Sequence, residues 1–221
     1  MTHDFWNIAR AGGTVGYLIL ILSIAALALA IEQAITLRAG VLMPEGLATR
    51  VREQLAAGQI VSALQQCKLQ PSVLAHVVQA GLNEADAGWP IAEKAMEDAA
   101  AEQSARLMRK VEYLSVIANL APMLGLLGTV IGMVVAFREV AQSQGAARAA
   151  DLAEGIYLAL VTTVEGLIVA IPTLGVFAWF RSRVEQLFAE VTAQAQQATA
   201  PLRRQPSRGA APPPPPRSSL V

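Results

Sequence analysis

The stretch GIYLALVTTVEGLIVAIPTL, residues 155–174, is apolar enough to cross a membrane and contains a single acid, Glu165. A helix needs about 20 apolar residues to span a hydrocarbon core of about 30 Å. A charged side chain near the middle of the bilayer costs about 3 kcal/mol even on lenient scales, so such acids usually face a bundle interior, a partner or a water path. Glu165 is therefore a candidate for handling protons or ions. The alternative is a residue that only hydrogen-bonds a neighbouring helix.

The composition of the whole chain indicates that membrane and soluble parts alternate. Of 221 residues, 54% are hydrophobic and 15% are charged, and the net charge is zero. The absence of excess positive charge gives no reason to propose nucleic-acid binding. The single cysteine, Cys67, has no internal disulfide partner, and His3 and His76 lack the spacing of metal ligands. We expect neither a metal nor an organic cofactor.

Three segments are predicted to be transmembrane helices, so we expect an all-α integral membrane protein. They are residues 15–37, 113–137 and 152–180, and each is long enough to span the hydrocarbon core. The first is free of charge from Ala11 to Ile31, which is too long for the apolar core of a signal peptide. We expect it to remain part of the protein.

The positions of lysine and arginine predict the orientation of these helices, because basic residues accumulate on the cytoplasmic side. Ten basic residues flank the end of the first segment, the start of the second and the end of the third: Arg38, Arg50, Arg52, Arg106, Arg109, Lys110, Arg181, Arg183, Arg203 and Arg204. The opposite side holds Arg10, Arg138 and Arg148. Residues 1–14 and the short loop 138–151 are therefore predicted to be outside, and the C-terminus cytoplasmic.

Residues 38–112 are predicted to be a cytoplasmic helical insert. Apolar residues recur at helical spacing in EGLATRVREQLAAGQIVSALQQC, for example Leu47, Val51 and Leu55, and again in PSVLAHVVQAGLNEA. Pro90 suits the first turn of a helix. Because neither glycine nor proline occurs between Ile91 and Pro122, we expect one helix to run from the insert into the membrane. Residues 91–137 would extend over about 70 Å.

The third apolar segment is also predicted to continue into the cytoplasm, as a helical extension over residues 181–200. It lacks a helix breaker until Pro201. The two extended helices and the insert would form a cytoplasmic helical bundle. The tail, residues 201–221, is rich in proline and basic, which predicts a disordered tether or, alternatively, a proline-motif ligand.

The second apolar segment has a pattern that favours close helix packing. In NLAPMLGLLGTVIGMVVAF, Gly128 and Gly132 form a GxxxG pair and Gly125 lies one turn earlier. We expect a helix of a neighbouring chain to contact this face, so that a bulky substitution there lowers the yield of oligomer. Pro122 and Pro172 have no N–H, so each leaves one backbone carbonyl without its helix hydrogen bond. A neighbouring helix, a hydroxyl or water must supply a donor instead.

The combination of APMLGLLGTVIGM, residues 121–133, with residues 155–174 resembles the MotA/TolQ/ExbB proton channel family, and in particular its ExbB/TolQ-like subunits. The resemblance covers about residues 15–191. It implies a homo-oligomer, typically a pentamer, in the bacterial inner membrane. The pentamer would surround two copies of an ExbD-like or TolR-like subunit with one transmembrane helix. Together they would form a motor driven by protons, acting on a TonB-like or TolA-like protein.

The resemblance also implies which residues form the proton pathway. Thr129 and Thr163 correspond to pore-facing threonines of the family, and Thr162 adjoins the second of them. A threonine hydroxyl both donates and accepts hydrogen bonds, so it can relay a proton. The alternative for either threonine is a purely structural role, in which the hydroxyl donates a hydrogen bond to the carbonyl one turn earlier in its own helix.

The chain departs from the family pattern at Leu158, where many ExbB proteins carry a glutamate. Glu165 lies on nearly the same helix face as Leu158, about two turns further on, and about 200° around the helix from Thr163. Glu165 is therefore a candidate for a displaced equivalent of the family glutamate. Because of the angle between them, Glu165 and Thr163 do not both point into one narrow pore. Glu32 matches an acidic position of the family and is expected to anchor its helix at the interface or to pair with Arg38 or an arginine of a neighbouring helix.

Other function classes have less support. The chain contains no GxSxG, HExxH, CxxC or GxxxxGK[ST] motif, so we do not expect an enzyme. A flagellar-stator subunit would use the same proton-driven mechanism on a different load. Such subunits have four transmembrane helices, and three are predicted here. An oligomeric scaffold that does not conduct protons is the remaining alternative, and Leu158 favours it.

Overall fold

Helices form almost all of the protein that the computed structural model describes, which is residues 13–142 and 149–203. The α-helices are α1 (Gly13–Thr36), α2 (Ala39–Leu42), α3 (Leu47–Ala56), α4 (Ile60–Leu69), α5 (Val73–Asn83), α6 (Trp89–Gln142) and α7 (Ala149–Arg203). A short 3₁₀ helix, Ala85–Ala87, precedes α6. Within these two ranges there is no strand, and the predicted all-α fold class is confirmed.

Three of these helices, α1, α6 and α7, are long and apolar enough to cross a membrane. Many of their large apolar side chains point outward, such as Ile21, Leu27, Val134 and Ile171. In a soluble protein such a surface would be costly, whereas lipid or another subunit can cover it. The chain is therefore a multi-pass membrane protein. The 54 residues of α6 extend over about 80 Å.

The two long helices extend further than the sequence predicted. Helix α6 continues to Gln142 and α7 begins at Ala149, so both ends of the predicted loop 138–151 are helical, and residues 143–148 lie outside the described residues. No glycine or proline interrupts residues 138–142. At the other end, α7 passes through Pro201 to Arg203, which corrects the prediction of a disordered tail beginning at residue 201.

Packing explains why α7 continues past Pro201. Ala198 and Thr199 are fully buried just before it, and the Thr199 hydroxyl lies 3.6 Å from the sulfur of Met96. Buried contacts of this kind hold the last turn although proline removes one helix hydrogen bond. The rest of the predicted tail, residues 204–221, and residues 1–12 lie outside the described residues.

The described chain divides into two compact units. The membrane unit comprises residues 13–37, 107–142 and 149–183, and the insert unit comprises residues 38–106 and 184–203. The division falls within α6 and α7, each of which contributes to both units.

The insert unit has its own apolar core. Leu47, Val51 and Leu55, which the sequence placed on one helix face, are completely buried. The predicted helical run over residues 45–67 is divided into α3 and α4, because Gly58 adopts a φ of +74° that side-chain-bearing residues rarely adopt. On α7, Val184, Leu187 and Val191 are also buried, as their helical spacing indicates.

In the membrane unit, α6 and α7 are in backbone contact along what we call the glycine seam, formed by Gly125, Gly128 and Gly132 of α6 against Ala159 and Thr162 of α7. A Cβ atom at Gly132 would lie 2.9 Å from the Ala159 Cβ, and one at Gly128 would lie 2.7 Å from the Thr162 Cβ. A Cβ atom at Gly125 would lie 2.8 Å from the Thr162 carbonyl oxygen. Side chains do not fit at these distances.

The seam has glycines on both helices. On the α7 side, a Cβ atom at Gly155 would lie 2.6 Å from the Cβ of Ala136, and one at Gly166 would lie 3.3 Å from the Cα of Gly125. The helix that contacts the GxxxG face is therefore α7 of the same chain, and not a helix of a neighbouring chain as the sequence suggested.

An ion pair joins α1 to α6 near one end of the membrane unit. The Lys110 Nζ lies 2.8 Å from an oxygen of Glu32, and about half of each side chain is exposed. Glu32 thus pairs with a lysine of the neighbouring helix rather than with Arg38 or another arginine. Exposed pairs contribute at most about 1 kcal/mol, so this contact aligns the helices more than it stabilises them.

The glycine seam predicts that Gly132→Leu destabilises the single chain before it affects assembly. Inserting a large side chain into a close-packed contact costs about 1–3 kcal/mol or more. The measurement is the thermal unfolding midpoint in detergent, followed by fluorescence-detected size-exclusion chromatography. Gly175→Leu is the matched control, because Gly175 lies on α7 and a Cβ atom there would have no neighbouring atom within 4 Å. A Gly132→Leu protein that unfolds at the wild-type temperature contradicts the seam.

Cys67 gives a test of the insert unit. Its side chain is 1% exposed, and burial raises the pKa of the thiol from an ordinary value of 9.0 to about 11. Because the thiolate is the reactive form, this increase in pKa leaves about a hundredfold less of it at pH 8. We expect iodoacetamide to label the folded protein at least that much more slowly than the protein unfolded in guanidinium chloride. Equal labelling rates would show that α4 does not pack as described.

Candidate functional site

The carbonyl oxygen of Gly125 is the centre of a small polar cluster in the glycine seam. It accepts hydrogen bonds from two consecutive hydroxyls of α7, Thr162 Oγ1 at 3.2 Å and Thr163 Oγ1 at 3.3 Å. The missing side chain at Gly125 lets α7 approach closely enough for both contacts. A polar site thus forms inside a membrane unit whose surroundings are apolar.

The two threonines differ in their access to the outside of the chain. Thr162 is 3% exposed, and its hydroxyl also lies 2.7 Å from the Ala159 carbonyl one turn earlier. Thr163 is half-buried. Its hydrogen bond to Gly125 is long for an O–H donor, whose usual distance is about 2.7–2.8 Å. The Thr163 hydroxyl can therefore exchange this partner for water or another chain more easily than Thr162 can.

Thr129 lies on α6, four residues beyond Gly125. Its Oγ1 donates to the Leu126 carbonyl at 2.7 Å, and the residue is half-buried. This is the local hydrogen bond that threonines commonly make within helices. The structure brings Thr129 to the same part of α6 as the acceptor of Thr163, with its hydroxyl engaged by its own helix rather than by α7.

Glu165 faces a different neighbour. It lies against α1, where it lines a cavity together with Ile19 and Ser23, and it is 8% exposed. Among the residues that the structure describes, neither carboxylate oxygen has a hydrogen-bond partner. Helix α7 therefore directs Thr163 towards α6 and Glu165 towards α1, and the structure does not bring these two candidates together. Leu158 is half-buried.

The two prolines occupy different surroundings within their helices. Pro122 is half-buried and Pro172 is exposed in the isolated chain. Pro172 and the following Thr173 line a groove of about 250 Å³ that also involves Ala26 and Leu114. Thr173 is 7% exposed and donates to the Val169 carbonyl at 2.7 Å.

Sequence reasoning missed the polar residue that lines the cavity together with Glu165. That residue is Ser23, which carries the single hydroxyl of the first apolar segment between Tyr17 and Ile31. A single hydroxyl in an apolar helix could have marked Ser23 as a candidate. No pattern in the sequence indicates that α1 packs against the side of α7 that carries Glu165.

The chemistry available at these sites is that of hydroxyls and one carboxyl. Over residues 13–142 and 149–203, no three His, Cys, Asp or Glu side chains cluster in a way that could hold a metal ion. The arrangement suits hydrogen bonding and proton exchange. It offers no nucleophile–base pair in the described membrane unit.

Comparison with known proteins gives a consistent family assignment. The family model of the MotA/TolQ/ExbB proton channel family matches residues 69–193, more than half of the chain. An ExbB homolog of Methanothermobacter thermautotrophicus is 32% identical over 178 residues, which is 80% of this chain and 62% of that protein.

Shorter matches come from two bacterial proteins. Biopolymer transport protein exbB1 of Vibrio cholerae is 38% identical over 82 residues, 35% of this chain and 36% of that protein. The Tol-Pal system protein TolQ of Pseudomonas aeruginosa is 35% identical over 94 residues, 42% of this chain and 40% of that protein.

The matched segments thus span less than two thirds of the length of each of these relatives. The matched family region includes α6, most of α7 and both threonine-bearing motifs. This chain belongs to the MotA/TolQ/ExbB proton channel family.

Proposed function

We propose that the chain is an inner-membrane proton-channel subunit of a motor. With an ExbD-like or TolR-like partner, it would couple the proton gradient to work in the cell envelope, of the TonB or Tol type. The observation that carries this proposal is the Thr163 hydroxyl, half-buried and weakly bonded to the Gly125 carbonyl within the region that matches the family.

In the proposed mechanism, Thr163 exchanges protons with an acidic side chain of the partner helix, directly or through water. A threonine hydroxyl has one proton to donate and two lone pairs to accept with, so it can pass a proton without becoming a charged group in the membrane. One charge that crosses 100 mV releases about 2.3 kcal/mol, which is enough to bias a conformational step. The Gly125 carbonyl would hold the hydroxyl in position between transfers.

The other candidate residues have separate roles in this proposal. Thr162, which is buried and whose hydroxyl lies within hydrogen-bond distance of the Gly125 and Ala159 carbonyls, would fix α7 against α6. Thr129 would supply a second hydroxyl along α6, released from Leu126 when a partner or water approaches. Glu165 would take part in proton handling from the side of α1, away from the threonines.

Exposed apolar side chains support the proposed assembly into an oligomer. Apolar side chains of α6 such as Tyr113, Met123 and Val134 are exposed in the isolated chain. Such a surface supports a homo-oligomer, proposed as a pentamer around two partner helices, with lipid on the remaining faces. In the proposed orientation the N-terminus is periplasmic and the insert unit is cytoplasmic, where basic residues flank the membrane helices.

A scaffold that oligomerises without conducting protons is the second candidate. It is favoured by Leu158, an apolar residue where many ExbB proteins carry a glutamate. A scaffold would need the glycine seam but not the Thr163 hydroxyl. A stator-like subunit has less support, because three rather than four helices in the described chain are able to span a membrane.

Removing the Thr163 hydroxyl separates the motor from the scaffold. We expect Thr163→Val to keep the fold and the assembly, since valine has nearly the same shape, while abolishing gradient-dependent activity in cells. Thr163→Ser is the matched control and should retain most of the activity, because it keeps a hydroxyl at the same position. Normal activity of a stably expressed Thr163→Val protein would support the scaffold and reject the proton-relay role.

The two threonines are expected to respond differently to the same change. Thr162→Val removes a buried hydroxyl that contacts the carbonyls of both Gly125 and Ala159, which costs about 0.5–1.5 kcal/mol, so its unfolding midpoint should fall more than that of Thr163→Val. Thermal unfolding in detergent measures the two midpoints. Native mass spectrometry of the complex with the partner subunit counts the copies of each protein and so checks that both variants assemble. Equal midpoints for both variants would contradict the distinction between a structural and a functional threonine.

A further inference from the structure

A cavity of about 30 Å³ lies between α1 and α7, on a different side of α7 from the glycine seam. Glu165 and Ser23 are its polar residues. The remaining lining is apolar, from Gly16, Ile19 and Leu20 of α1 and from Ile168 and Val169 of α7. The cavity is thus a small, mostly apolar space between two membrane helices of one chain, with one carboxyl-bearing and one hydroxyl-bearing residue in its lining.

The carboxyl group of Glu165 is buried but has no protein partner. The residue is 8% exposed, and within the described part of the chain neither of its oxygens makes a hydrogen bond. Buried polar groups in folded proteins almost always have a partner, in the protein or in ordered water. The carboxyl group of Glu165 is therefore available to bind a small hydrogen-bonding molecule.

The size of the cavity and its two polar residues allow water to bind. A buried water needs about 10–15 Å³ of this kind of volume and two to four hydrogen-bond partners. Glu165 offers two oxygens and Ser23 a hydroxyl. The carbonyl of Ile168, another lining residue, also loses its helix partner, because Pro172 four residues later has no N–H. Room and partners are present for one or two water molecules.

The same features argue against a bound metal ion. Hard cations require six or more oxygen ligands, or a nearly complete octahedron with water. The cavity offers three side-chain oxygens in an apolar lining, and neither α1 nor α7 places a second titratable or charged side chain among the lining residues. A proton needs a single acceptor and no coordination shell, so the neutral acid fits where a metal ion does not.

We propose that Ser23 and Glu165 form a hydrated carboxyl site between α1 and α7, in which Glu165 carries a proton and binds one or two water molecules with Ser23. The neighbouring groove of about 250 Å³ shares Ser23, Ile168 and Val169 with the cavity, so water can enter and leave by a short path. This site does not depend on the proposed function, since it requires neither proton flux nor a partner subunit.

Infrared spectroscopy of the full-length protein in detergent tests the site directly. At pH 7 a protonated carboxylic acid gives a C=O stretching band separate from those of ionised carboxylates. We expect this band in the wild type and its loss in Glu165→Gln. Glu154→Gln is the matched control: Glu154 lies on the same helix but is exposed, so its removal should leave the band unchanged.

Two further measurements on the same band test the water and Ser23. Transfer to D2O should shift the band within minutes, because the acid is hydrated, and Ser23→Ala should shift its frequency, because one hydrogen-bonding group is lost. Replacing K⁺ by Na⁺ in the buffer should have no effect.

Three results would overturn the proposal. Absence of a Glu165-dependent band means that the carboxylate is ionised, and a band that does not shift in D2O over hours means that the cavity is dry. Loss of the band on addition of Na⁺ means that the site binds a metal cation. Since all three readouts are spectroscopic, they remain informative even if no variant changes transport.

Discussion

The close backbone contact between α6 and α7 at the glycine seam is the interaction on which the membrane unit depends. Lipid is as apolar as leucine, so membrane helices associate through packing and hydrogen bonds rather than through burial of apolar area. Glycines on both helices allow that packing, and the carbonyl of Gly125 becomes an acceptor for two threonines of α7. The polar cluster exists because the side chain at Gly125 is missing.

The seam also explains how one helix presents two separate polar sites. With its Thr162–Thr163 side against α6, α7 turns Glu165 towards α1. A helix advances by about 100° per residue, so residues two apart point in nearly opposite directions. The threonine cluster is accessible to a partner through the half-buried Thr163, whereas Glu165 is enclosed within one chain. In the proposed mechanism, proton chemistry would then be divided between the half-buried Thr163 hydroxyl and an internal carboxyl site.

Much of the fold followed from the sequence, because apolar length and helical periodicity are local signals. The three long apolar helices, the buried face formed by Leu47, Val51 and Leu55, and the long helix through residues 91–137 were all predicted. The helix ends were predicted less well. Pro201 was expected to end α7, but buried contacts around Thr199 hold the helix beyond it, and Gly58 divides a run that had read as continuous.

The sequence offered candidate residues for the site but did not indicate which helices those residues contact. A motif makes Thr163 a candidate and an isolated acid in an apolar run makes Glu165 one, but which helix each one faces is decided by contacts distant in sequence. For the same reason the GxxxG face was assigned to another chain when α7 of the same chain occupies it. Ser23 was missed because only the tertiary structure places it beside a carboxyl that is far away along the chain.

The most direct test of the proposed motor is proton flux into vesicles across an imposed pH gradient and membrane potential. Vesicles holding this chain together with an ExbD-like or TolR-like subunit should conduct protons. Vesicles holding either protein alone, or the pair with the acidic residue of the partner helix replaced by its amide, should not. Flux at the background level from the intact, correctly assembled pair would contradict the motor and leave a scaffold as the function of this chain.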